Sequence, residues 1–202
     1  MREIVKMVRN LDLNMIKEPE IKIVNGKKVY YDYITKGKTR PAFPEEKVRQ
    51  KFIRYLIQEK NVPSIAIKVE EPTKHYANVN RRMDIVIERD TIHGSEPVAV
   101  VECKAESVIL SEQVYEQAEE YANTVNIPII IVTNGRQIEC LKRTGDKCEY
   151  IINLPTYEEM ENYSEIKTEP KDEYTYNRWN YDDLYLEDVQ NIEKNLGKPC
   201  LS

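Results

Sequence analysis

Glu102 and Lys104 stand two residues apart at the end of an apolar run, Pro97-Val-Ala-Val-Val, and Asp84 opens the apolar run before it. Alternate residues of a strand share a face, so Glu102 and Lys104 project together while Cys103 points away and offers its backbone carbonyl near the same edge. If the strand of Asp84 pairs with that of Glu102 through the 88–97 connection, two carboxylates and one carbonyl converge. That is a hard oxygen set suited to Mg²⁺ or Mn²⁺, with water completing the octahedron. An ion held there supplies Lewis acidity at a phosphate, and Lys104 would orient or deprotonate the attacking water. The same spacing also fits ordinary polar strand ends joined by a salt bridge, because Glu-x-Lys is a common string.

The elements that must position these residues are legible on either side. Pro44-Glu45-Glu46 opens a segment in which Val48, Phe52, Tyr55, Leu56 and Ile57 recur at helical spacing, which predicts a helix over about 44–59. Ser64–Val69, Met83–Ile87 and Val98–Val101 read as three strands, the last two joined by a turn over Asp90–Ser95. Residues 111–124 begin with a Ser cap and carry Val114, Ala118 and Tyr121 on one stripe, a second helix. Pro128–Val132 and Gln137–Lys142 are two further strands, separated by Thr133-Asn134-Gly135. A helix between strands demands a crossover, so the class is α/β with a mixed central sheet flanked by helices. Asn25-Gly26 between two β-rich runs predicts an N-terminal hairpin over 21–34.

The second helix offers Gln113, Gln117 and Tyr121 at four-residue steps behind the Glu-x-Lys strand. Gln117 and Tyr121 could reach a phosphate or hold the lysine and water in place; a core Tyr121 and a surface Gln117 fit the spacing equally. Glu46 on the first helix, followed by Arg49, Gln50 and Arg54, could face the same cleft as a further acid with bases aimed at phosphate. A carboxylate that simply favours a helix N-terminus is the alternative.

Composition bounds the rest. The 202 residues are 41% hydrophobic, enough for one main domain with an appendage. No 18-residue apolar stretch exists and charges interrupt Met1-Arg2-Glu3-Ile4-Val5-Lys6, so a soluble, cytoplasmic protein without membrane association is expected. Cys103, Cys140, Cys148 and Cys200 form no Cys-x-x-Cys pair and read as free thiols. The net charge is −5, but twelve acids and five bases fall after Leu154, leaving 25 bases and 23 acids in residues 1–154. The body of the chain therefore tolerates nucleic acid. Residues 155–202 form an acidic, aromatic C-terminal extension with Trp179, in which Asp182-Asp183 could open a helix stopped by Gly197 and Pro199. Such an extension is expected to pack on the core or on a partner, and its acidity fits a solvated helix, a shield over the basic cleft or contact with a partner.

Taken together, Phe43-Pro-Glu-Glu-Lys-Val-Arg-Gln-Lys-Phe-Ile-Arg-Tyr-Leu-Ile, Asn80-Arg-Arg-Met-Asp-Ile-Val-Ile, Val100-Val-Glu-Cys-Lys-Ala-Glu, Gln117-Ala-Glu-Glu-Tyr-Ala and Ile131-Val-Thr-Asn-Gly-Arg-Gln resemble the N-terminal nuclease domain of type I restriction enzyme R subunits. That domain belongs to the PD-(D/E)xK nuclease superfamily, and the resemblance runs over roughly residues 20–145. It implies a restriction-endonuclease-like core and a Mg²⁺- or Mn²⁺-dependent DNA endonuclease. Asp84 and Glu102 match its metal-binding acids, Lys104 its catalytic lysine, Gln117 and Tyr121 its Q-x-x-x-Y element, and Glu46 the acid of its first helix. Met83 stands where the superfamily name expects proline, a tolerated departure. No GxxxxGK[ST] run occurs, so the ATP-driven motor of R subunits is not expected in this polypeptide, which reads as a stand-alone member or a fragment. DNA is the expected partner, with other restriction subunits or a second copy as further ones. A catalytically silent nuclease-fold module and a structure-specific DNA repair or RNA nuclease remain as alternatives.

Overall fold

A computed structural model describes residues 9–72, 82–145 and 147–170, without the side chains of Glu112, Gln113, Tyr115, Gln117, Tyr121 and Pro170. In chain order the elements begin with strands β1 (Arg9–Asn10), β2 (Ile21–Val24), β3 (Lys27–Tyr31) and β4 (Thr39–Pro41). Helix α1 (Pro44–Glu59) leads to β5 (Ile67–Pro72), β6 (Arg82–Thr91) and β7 (Gly94–Cys103). Helix α2 (Glu112–Val125) leads to β8 (Ile129–Thr133), β9 (Gln137–Thr144) and β10 (Lys147–Ile151), and helix α3 (Tyr157–Glu161) to β11 (Thr168–Pro170).

The main sheet has eight strands, in the order β11-β10-β9-β8-β7-β6-β5, with β1 pairing separately on β9. Only β7 and β8 run parallel; the helix α2 between them is the crossover that a parallel pair requires. The expected mixed α/β architecture is observed. Val86, Val100, Ile130 and Val132 are fully buried on one face of the sheet, while Ile85, Ile87, Ala99, Val101, Ile129 and Ile131 belong to the core cluster on the other. That cluster also takes in Val48, Phe52, Ile53 and Leu56 of α1, so α1 packs on one face, and the buried Val114, Ala118 and Ala122 of α2 cover the opposite one. Strands buried on both faces explain the near-continuous Val/Ile runs.

The hairpin β2–β3 turns at Asn25 and Gly26, with φ of 50° and 74°, the left-handed pair that a tight two-residue loop demands. Helix α1 starts on Pro44 as expected, with Glu45 and Glu46 in its first turn and no side-chain cap from Phe43. Ser111 occupies the cap position of α2, but its side chain accepts no capping hydrogen bond. The strand expected from Ser64 starts later. Ala66 donates to the Pro63 carbonyl at 2.9 Å, closing a single 3-10 turn over Ser64–Ala66 before the chain extends at Ile67.

The first part of the stretch read as a C-terminal extension packs on the core. Thr156 and Glu159 form a capping box that starts α3, Met160 is completely buried, and β11 pairs antiparallel with β10. Tyr157 donates its hydroxyl proton to the Glu88 carbonyl at 3.0 Å, which ties α3 to β6. The helix expected from Asp182 lies outside the described residues. Cys103, Cys140 and Cys148 are free thiols, and Cys200 lies outside the described residues. Among the described residues no helix is long and apolar enough to cross a membrane.

Candidate active site

Strands β6 and β7 are paired from Thr91↔Gly94 to Ile85↔Val101, and the next residues along are Asp84 and Glu102. The ladder ends there, so both carboxylates stand where the strands part. Asp84 Oδ2 accepts the Cys103 amide proton at 2.9 Å, a side-chain acceptor taking over where the backbone ladder stops. On the other side of β7, pairing with β8 continues through Cys103↔Thr133, and the Lys104 amide donates to the Thr133 carbonyl at 2.8 Å. The strand end carrying the Glu-x-Lys is thus held by both neighbours.

The side chains follow from that frame. Lys104 Nζ donates to Glu102 Oε1 at 2.6 Å, and the Glu102 side chain is only 6% exposed. Cys103 alternates away into the core on the α1 side, where burial, and then the Asp84 charge, push its thiol pKa well up; it is an inert packing residue. Burial beside Asp84 pushes the Glu102 carboxyl up to about 7, a rise that its hydrogen bond to Lys104 only partly offsets. Burial alone would lower Lys104, but the hydrogen bond it donates to Glu102 and the charges of Glu102, Glu45 and Asp84 outweigh it, so its pKa is raised and it stays an ammonium at neutral pH.

A stability prediction follows from Glu102. Its folded-state pKa lies above its ordinary 4.5, so between pH 4.5 and about 7 the folded chain keeps a proton that the unfolded chain has released. Stability from this group is therefore full below pH 4.5 and is lost as pH rises towards 7 and above, by about 3 kcal/mol at about 1.4 kcal/mol per unit. Denaturant melts of Glu102→Gln between pH 4.5 and 8 should show that slope flattened relative to wild type; an unchanged slope would reassign the titration.

Helix α1 contributes differently from the sequence expectation. Arg49 Nη1 donates to Asp84 Oδ1 at 3.0 Å, and Nη2 donates to Glu70 Oε1 at 3.1 Å and also to Glu46 Oε2. Glu46 is buried and its other oxygen accepts from Gln50 Nε2 at 2.8 Å. Glu46 is thus engaged by its own helix. The neighbouring Glu45 is exposed at the surface of α1, and its pKa is raised by desolvation and then by Asp84, against the pull of Lys104.

Gln50 Oε1 accepts the Tyr33 amide proton at 2.8 Å, and Arg54 donates to the Lys17 carbonyl at 2.8 Å. These two of the expected phosphate-facing residues hold the N-terminal segment instead. Glu70, opposite Asp84 on β5, has φ of 54° and breaks the ladder between Val69↔Ile85 and Glu71↔Met83. Asn134 was legible only as a strand terminator. Its Oδ1 accepts from the Arg136 and Gln137 amides, and its Nδ2 donates to the Val108 carbonyl at 2.9 Å, fastening the loop that leaves Lys104. Helix α2 follows that loop, as expected, while the side chains of Gln117 and Tyr121 lie outside what is described.

Among the described residues no three His, Cys, Asp or Glu side chains are gathered into a ready-made metal cage. Asp84, Glu102 and Glu45 nevertheless repel one another, each of the two glutamates being raised in part by the Asp84 charge. Mutually repelling carboxylates beside one ammonium make a donor set whose charge a hard divalent cation relieves.

The family model for the N terminus of type I restriction enzyme R proteins matches residues 44–155. A solved structure, a fragment assigned to an HsdR subunit of a type I restriction enzyme from Vibrio vulnificus YJ016, is similar at 20% identity over 58% of this chain, with a TM-score of 0.46. The chain spans about a quarter of that structure, 24% of its length. Comparison with curated proteins gives no match.

Proposed function

Because the chain belongs to the family of type I restriction enzyme R protein N termini, we propose that it is a Mg²⁺- or Mn²⁺-dependent deoxyribonuclease that hydrolyses phosphodiester bonds at Asp84, Glu102 and Lys104. The observation that carries this reading is the parting of β6 and β7, which sets Asp84 and Glu102 one step beyond their last ladder pair with Lys104 bonded to Glu102. Asp84, Glu102 and the Cys103 carbonyl would hold the ion, with Glu46 the acid of the first helix, joined to Asp84 through Arg49. When bound, Mg²⁺ supplies Lewis acidity and charge neutralisation at the phosphate.

The chain's own groups then have distinct tasks. Lys104, kept protonated by three carboxylates, donates to the attacking water or a phosphate oxygen and stabilises the negative charge that develops there. Arg49, by bonding Asp84 Oδ1, turns that carboxylate, and the Cys103 amide fixes its other oxygen. Gln117 and Tyr121 on α2 would contact the substrate backbone. The reading is confined to strand cleavage, since these 202 residues contain no GxxxxGK[ST] run for ATP-driven movement. DNA is the substrate, other restriction-system subunits or a second copy the partners, and the cytoplasm the compartment.

The test is supercoiled plasmid incubated with the chain and Mg²⁺ or Mn²⁺. Nicked and linear products are expected, lost both in excess chelator and in Asp84→Asn. Cleavage of RNA in preference to DNA would move the reading to a different phosphodiesterase, and absence of metal-dependent cleavage of any nucleic acid would leave a silent interaction module.

A further inference from the structure

The hairpin β2–β3 and the strand β4 form a basic stretch in a chain whose net charge is −5. Residues 20–41 hold Lys22, Lys27, Lys28, Lys36, Lys38 and Arg40 against only Glu20 and Asp32. Asp32 is buried and spent internally: it accepts from Arg40 Nε at 2.8 Å and from the Ile34 and Thr35 amides. The five lysines are exposed, and none forms an ion pair with a carboxylate among the described residues. Lys22 lies over the Tyr31 ring, 4.2 Å from its centroid, and donates to the Tyr31 hydroxyl at 2.6 Å, so its charge is held in one place.

The geometry makes this a projecting ribbon. Strand β4 pairs with Val29–Tyr31 and the Ala42 amide after it donates to the Lys28 carbonyl at 3.1 Å, so the ribbon becomes two-stranded beyond Lys28, at Lys27 and the turn. The register Ile23↔Lys28 and Val24↔Lys27 sends the tip lysines to opposite faces. Charge on both faces of a two-stranded ribbon suits insertion between two phosphate walls, and the major groove of a duplex, about 12 Å wide, admits such a ribbon. Its base is tied to the cleft: Arg40 pairs with Glu70, Glu70 with Arg49 at 3.1 Å, and Arg49 with Asp84 at 3.0 Å. The edge strand β2 exposes Ile21 and Ile23 and could in principle add a protein strand, but Lys22 between them and the unpaired lysines around them favour a polyanion.

We propose that the β2–β3 ribbon is a duplex-gripping arm that inserts its Lys27–Lys28 tip into a groove of the DNA and anchors it beside the Asp84–Glu102 cleft. This rests on the proposed reading of the cleft as a nuclease and adds where the duplex is held.

The experiment measures the Kd of the full chain for a duplex of about 30 base pairs, in chelator, across about 50–200 mM salt. Each phosphate contact contributes about 0.9 to the slope of log K against log salt. The double variant Lys27→Gln/Lys28→Gln should bind at least about tenfold more weakly, with a slope smaller by about 2. The double variant Lys147→Gln/Lys167→Gln, also exposed and with the same charge change, should keep the wild-type slope. Equal losses in both variants, or a wild-type slope in the ribbon variant, would overturn the arm. If the wild type cleaves plasmid with metal while the ribbon variant keeps its slope, the arm alone falls; if the wild type neither binds nor cleaves a duplex, both readings fall. Loss of a protein partner in the ribbon variant with duplex binding intact would assign the ribbon to that partner and overturn the proposal.

Discussion

Replacing Lys104 with alanine is expected to lower metal-dependent cleavage by at least about 10²-fold, the order attributed to losing one positioned proton donor or charge-stabilising group. The residue is suited to a change in rate with little change in fold. Its side chain donates to Glu102 Oε1, while its backbone amide is tied to the Thr133 carbonyl, a bond that alanine retains. Without the ammonium, Glu102 is left beside Asp84 and holds its proton to higher pH, which limits the cost of leaving it unpaired. Lys104→Ala should therefore melt within a few degrees of wild type while losing activity. Lys104→Arg should recover part of the rate, since it restores charge with a different reach. Wild-type nicking rates in Lys104→Ala would remove the lysine from the site.

Arg49→Met is expected to cost about 3–5 kcal/mol, the largest stability loss of any side chain at the cleft. Arg49 is buried, and one guanidinium serves Glu46, Glu70 and Asp84 together. Removing one partner of a buried ionic network strands the others without compensation, which costs more than the network itself contributes. Burial would lower the Arg49 pKa, but the hydrogen bond and charge of Glu46, then Asp84, raise it, so the group stays charged throughout the accessible pH range. A loss of about 4 kcal/mol corresponds to roughly 10 °C in Tm for a domain of this size. Arg49→Lys should recover only part of it, because an ammonium cannot present two nitrogens in a fixed fork to three carboxylates. Combining Arg49→Met with Glu46→Gln should restore stability relative to Arg49→Met alone, since the stranded charge goes with it. Denaturant unfolding of wild type, Arg49→Met, Glu46→Gln and the double variant measures this, and additive losses in the double variant would show that Arg49 and Glu46 are not coupled.

How much of this was legible in advance depends on which physical rule each feature obeys. Local rules carried the hairpin at Asn25-Gly26, the start of α1 at Pro44, and the strand runs around Asp84 and Glu102. Alternation along β7 put Glu102 and Lys104 on one side and Cys103 on the other, and the observed Lys104–Glu102 bond and the buried thiol agree. The short β6–β7 connection was enough to bring Asp84 beside Glu102, because a hairpin fixes the register of its two strands. Packing of the extension on the core was one of two expected outcomes, but the elements that achieve it over residues 157–170 were not readable. Strand β11 is only three residues long and forms by pairing with β10, while Met160 is apolar on a helix of five residues whose partners lie far away in sequence.

The identities and strand positions of Asp84, Glu102 and Lys104 follow from local properties of the chain, side-chain period and hairpin pairing. That Glu46 is bonded by Arg49 and Gln50, that Arg49 also bonds Asp84, and that Glu70 stands opposite Asp84 in a left-handed conformation are tertiary outcomes. Those outcomes depend on how α1 is rotated about its axis and how closely it approaches β5 and β6. That rotation is set by burying Val48, Phe52, Ile53 and Leu56 against the sheet, a packing solution among segments far apart in sequence.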